Sequence, residues 1–155
     1  MLGSGIETVA HLRDNGRIVL MFCAFEGRPM VLRLHGRGDV VPQDDPRFPE
    51  LLAAFPDNPD VHSVLRSIIT VEVQRISDSC GFVVQRMDFV EERTQLYRWA
   101  ESQGRRAGDG WEATYQQVNN AVSIDGLPGL PGIDACADEP SEAEAKRFSS
   151  VGRAL

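Results

Sequence analysis

Between Arg17 and Val41 the chain carries two apolar stretches separated by Glu26-Gly27-Arg28-Pro29, and no other feature narrows its possible folds as much. The first, Arg17 to Phe25, is nearly continuous in Ile, Val, Leu, Met and Phe, a composition that suits a strand packed on at least one face. In the second, Met30, Leu32 and Leu34 alternate with Val31, Arg33 and His35, which is the period of a pleated strand. A short break containing Gly and Pro predicts that the two pair as an antiparallel hairpin. Gly36 and Gly38, inside the second strand, predict a bulge or bend.

The elements around the hairpin follow from spacing. Ile6, Val9, Ala10 and Arg13 recur at i, i+3, i+4, i+7, so a short helix begins after Ser4 and stops at Asn15-Gly16, a left-handed terminator. Turn residues from Pro42 to Pro49 lead to a short helix over Phe48 to Phe55. A third strand spans Ser67 to Ile76, with Ile69, Val71 and Val73 facing the core and Thr70, Glu72 and Gln74 facing away. Ser77 to Gly81 has the composition of a turn. Helices are expected over Arg93 to Gln103 and Trp111 to Val122, then an extended segment over Ser123 to Gly132. Residues 1–132 therefore form one domain, and 133–155, poor in large apolar side chains, form a disordered or weakly helical tail.

Charge and composition exclude several classes. With 155 residues, a formal net charge of -7 and a single lysine, Lys146, the chain offers neither the clustered cations that nucleic acid or anionic lipid rewards nor a P-loop or Schiff-base lysine in its body. Any anion must be held by arginine or backbone N–H. No apolar run is long enough for a membrane span, and the start, Met1-Leu2-Gly3-Ser4-Gly5, lacks the marks of a secretion signal, so a cytoplasmic protein is expected. Cys23, Cys80 and Cys136 stand far apart and fit neither a metal knuckle nor a disulfide framework. His11, His35 and His62 make no local ligand motif, so no metal is expected.

Candidate binding residues are few. Gly3, Ser4 and Gly5 precede a helix whose N–H groups and dipole favour an anion, with the Thr8 hydroxyl one turn on. A simple helix cap with a flexible terminus explains the same residues, and Glu7 competes for the same field. Arg17, Arg33 and Arg37 lie on or beside the hairpin, where a guanidinium fork grips phosphate or carboxylate and where a solvated strand face is the plainer alternative. No GxSxG elbow is present, and the catalytic residues remain unknown.

The order helix, Asn15-Gly16-Arg17, hairpin and Leu34-His35-Gly36-Arg37-Gly38-Asp39, with Ser77-Asp78-Ser79-Cys80-Gly81, Met87-Asp88-Phe89 and Asn120 to Gly129 further on, resembles the pyridoxamine 5′-phosphate oxidase-like family, over roughly residues 2 to 130. The resemblance implies an α+β, mainly β fold, the FMN-binding split β-barrel, here incomplete at its N-terminus because the family's first barrel strands precede this helix. It implies a homodimer, a small-molecule substrate and hydride transfer carried out by bound FMN, with a deazaflavin coenzyme or no cofactor as alternatives. It makes Gly3, Ser4, Gly5 and Thr8 phosphate candidates, which join Arg17 and Arg33 of the hairpin as the cofactor-binding candidates. Glu7 and Thr8 stand where the oxidases proper have a phosphate-binding basic pair, and Val31 stands where they have a flavin-facing glutamine, so pyridoxamine phosphate itself is not the implied substrate. A non-catalytic cofactor-binding or structural module is the rival expectation.

Overall fold

The computed structural model describes residues 6–58, 65–133 and 141–149. Gly3, Ser4 and Gly5 lie outside them. Helix α1 (Ile6–Asn15) leads into β1 (Arg17–Cys23), β2 (Met30–Pro42) and the short α2 (Phe48–Leu52). Then come β3 (Ser67–Cys80), α3 (Gln95–Ala107), α4 (Trp111–Asn120) and α5 (Glu142–Ser149). The described strands form one antiparallel sheet in the order β1-β2-β3, so the class is α+β.

The helix-to-hairpin junction follows the sequence closely. Gly16 takes the left-handed conformation at φ 70, where an L side chain is strained, and its N–H closes α1 on the Leu12 carbonyl at 2.8 Å. Its own carbonyl accepts from the Gly38 N–H at 2.9 Å, which fixes the helix end against β2. β1 ends at Cys23 rather than Phe25, because the chain turns at Ala24, whose N–H donates to the Met30 carbonyl. The expected bulge is present: pairing with β3 shifts between His35 and Gly36, leaving Gln74 unmatched.

Further boundaries differ from expectation. β3 runs on to Cys80, so Ser77 to Cys80 is strand and not turn. Pairing with Met30 to Arg33 supplies the backbone partners that override its turn-like composition. α2 stops at Leu52, and α3 and α4 cover Gln95–Ala107 and Trp111–Asn120. Val73, expected inward, is exposed.

The core has three parts. α1 packs Ile6, Val9 and Leu12 on Val40 and Leu130, with Ile18, Ile69 and Ile133 beside them. Val41, Phe48 and Ile68 bury α2 against the far end of the sheet. A separate aromatic cluster joins Trp111 and Tyr115 of α4 to Trp99 of α3 and Phe148 of α5, with edge-to-face rings. Within the expected disordered or weakly helical tail, residues 142–149 are thus helix, and Phe148 is buried.

Candidate functional site

Where α1 ends and the hairpin begins, the chain leaves an open cleft of about 760 Å³. Its lining includes His11, Asp14 and Asn15 of α1, Arg17, Ile18 and Val19 of β1, His35 and Arg37 of β2, Gln74 of the β3 bulge, and Asp125. The bulge matters here, since it brings the extra residue of β3 to the lining.

The register sets the polar side of the cleft. Arg17 and Arg37 are direct partners across β1 and β2, so two cations stand opposite each other, an arrangement that disfavours the sheet in isolation. Arg37 donates to the Asn15 carbonyl at 3.1 Å, at the electron-rich end of α1, while the Arg17 N–H donates to the Asn15 side chain at 2.9 Å. Among the described residues neither guanidinium forms an ion pair. On the neighbouring strand His35 contacts the Ser77 hydroxyl at 3.1 Å.

The other wall is the loop after α4, fastened along α1. Glu7 accepts from the Ile124 N–H at 2.9 Å, His11 meets the Asp125 carboxylate at 3.2 Å, and Arg13 donates to the Gly129 carbonyl. The Ser123 hydroxyl donates to Asp125 and accepts from the Leu127 N–H, which makes the loop a compact turn. The Ser123 hydroxyl and the His11 ring together hold the Asp125 carboxyl below the usual carboxylate range.

Of the residues expected from sequence, Arg17 lies in the cleft. Arg33 does not line it; its guanidinium donates to the Ser79 hydroxyl at 2.9 Å further along the sheet. Thr8 is exposed on α1 and outside the lining. Arg37 was visible in the hairpin, and its pairing with Arg17 follows once the register is known. His11, Asp125 and Gln74 carried no local signal, because the contact between the first two spans 114 residues.

The chain is 35% identical over 142 residues to the pyridoxamine 5′-phosphate oxidase family protein ustO of Aspergillus flavus, an alignment that takes in 83% of this chain. The chain belongs to the pyridoxamine 5′-phosphate oxidase family. It spans about half the length of that relative, 54%. No family model matches, and no solved structure matches. No helix among the described residues is long and apolar enough to cross a membrane.

Proposed function

We propose that this chain is the flavin-binding part of an oxidoreductase, with FMN as its cofactor and the cleft between α1 and the hairpin as its seat. The observation that carries the proposal is the Arg17–Arg37 pair, two opposed cations without an acidic partner among the described residues, on the wall of a cleft whose size suits a small ligand. A phosphate between them turns a repulsive cross-strand pair into two charge-assisted contacts.

The residues present fit such a group. Arg17 and Arg37 would hold the phosphate, while Ile18, Val19 and Leu127 offer apolar lining for a ring. His35 and Gln74 supply hydrogen-bonding groups in the same cleft. Bound FMN supplies hydride transfer, so the chain need only bind, orient and keep water from the reacting face. The family's split barrel would extend the three-stranded sheet, and a homodimer belongs to the same proposal. The free thiols of Cys23 and Cys80 accord with a reducing compartment, the cytoplasm. The substrate class is a small molecule, since fold likeness carries no further.

The test compares FMN with riboflavin, which lacks the phosphate, by flavin fluorescence. FMN should bind at least about tenfold tighter, and Arg17→Ala should remove that advantage while leaving riboflavin unchanged, because each charge-assisted bond contributes about 1.5–3 kcal/mol. Equal binding of the two flavins overturns the phosphate assignment. Binding of a deazaflavin coenzyme with no binding of FMN overturns the choice of cofactor.

A further inference from the structure

Glu7 and His11 stand one turn apart on α1, and the loop after α4 brings Asp125 against them, so that one ligand atom from each lies within 4.8 Å of the other two. We propose that Glu7, His11 and Asp125 form a binding site for a divalent first-row transition ion, with Zn²⁺ the ion of first choice. The donor set is one imidazole and two carboxylates, which suits zinc and manganese better than calcium or magnesium. Sequence spacing hid it, because Asp125 is remote in the chain and no HxH or HExxH motif is involved.

A second observation points to a missing ligand. One oxygen of Glu7, Oε1, accepts the Ile124 N–H, whereas Oε2 is buried and has no hydrogen-bond partner among the described residues. A carboxylate oxygen left so is costly, and a cation beside it removes the penalty. For the His11–Asp125 pair the geometry requires little movement, while Glu7 closes in from within 4.8 Å. Two atoms each about 2.1 Å from a tetrahedral ion are about 3.4 Å apart. His11 and Asp125 already approach to 3.2 Å, and their side chains, 48% and 52% exposed, have room to adjust. Three protein ligands leave a fourth position open, and His11 and Asp125 both line the cleft. The ion would tie the loop to α1 at the cleft's edge.

The site shares the cleft wall with the proposed flavin seat but does not depend on that proposal, and its test uses flavin-free protein. Zn²⁺ is titrated into the full chain by calorimetry, and Co²⁺ binding is followed by visible absorbance. The expected result is one ion per chain, with Co²⁺ bands of nitrogen and oxygen ligation. His11→Ala, Glu7→Gln and Asp125→Asn should each weaken binding about tenfold or more, a loss no smaller than that caused by removing an outer-sphere partner. Glu7→Gln keeps an acceptor for the Ile124 N–H, and Asp125→Asn keeps one for Ser123, so these two variants preserve the loop if His11→Ala does not. Asp14→Asn, in the cleft but outside the cluster, should bind like the parent. Absence of Zn²⁺ binding, binding indifferent to all three changes, or a thiolate charge-transfer band with Co²⁺ would each overturn the assignment.

Discussion

Phe148 stands edge-on to Tyr115, with ring centroids 5.5 Å apart and planes at 87°. The contact fastens α5 to α4 in a cluster that shares no residue with the sheet core. Phe148 is 2% exposed and Tyr115 1%. Phe148→Ala should therefore cost about 3–5 kcal/mol, the usual loss for emptying a buried aromatic site. Phe82→Ala, at a residue 80% exposed, should cost far less. Urea denaturation of the two variants measures the contrast, and equal midpoints would show that α5 does not dock in solution.

At the bulge, a methyl on Gly36 would collide with the backbone carbonyl of Glu72 and crowd the side chain of Val71. Neither backbone can yield without losing the register of β2 and β3. Gly36→Ala should destabilise by about 1–3 kcal/mol. Gly27→Ala meets nothing within 4 Å, but its φ of 69 strains any L side chain, so it too should destabilise, through backbone conformation alone. Thermal melts read both, and Gly36→Ala alone should also disturb the cleft, because Gly36 and Gln74 line it.

The hairpin, α1 with its Asn15-Gly16 stop, and the bulge were legible because each rests on local chemistry: period, a positive-φ glycine, a break with Gly and Pro. The end of β3 was not. Ser77-Asp78-Ser79-Cys80 favours turns by composition, and only its partners in β2, from Met30 to Arg33, hold it extended. Phe148 was hidden for a similar reason, since one aromatic in a polar segment reveals nothing about a receptor made by Trp99 and Tyr115. In the site, Arg17 and Arg37 were each visible, while their pairing needed the register. The Glu7–His11–Asp125 cluster needed the tertiary path of the loop.

The Arg47 guanidinium and the Arg47 N–H both bond the Asp45 carboxylate, which holds that carboxyl below its ordinary value of 3.8. The unfolded chain thus binds this proton more readily than the folded one. The contribution is complete above the unfolded value and is lost as pH falls through the lower folded value. Asp45→Asn should be less stable than the parent near pH 7, and the gap should close in acid below 3.8. Paired denaturation curves across that range decide it; a gap that persists in acid would assign the effect to packing.

Register places Leu20, Phe22, Leu32, Leu34 and Ile76 on one face of the sheet, and Phe22 and Ile76 remain 54% and 66% exposed. A contiguous apolar face of this kind suits burial against a second copy, as the proposed homodimer requires. Sedimentation at tens of micromolar should report twice the chain mass, and Ile76→Arg should shift it toward monomer. A monomer at every concentration counts against the dimer.

Arg17 and Arg37 give the last prediction, because stability and binding should move in opposite directions there. Opposed like charges weaken a strand pair, and an opposite-charge pair contributes about 0.2–1 kcal/mol. Arg17→Glu places a carboxylate across from Arg37. The ligand-free variant should therefore melt at or slightly above the parent's temperature, with the gain shrinking in salt because both side chains are exposed. Phosphate recognition should fail, since the new anion neutralises Arg37 and repels the ligand, and FMN should then bind no better than riboflavin. Arg17→Ala, which removes repulsion without adding attraction, should fall between parent and Arg17→Glu in stability. A variant that is less stable than the parent and still prefers FMN would show that these two cations serve the sheet rather than a phosphate.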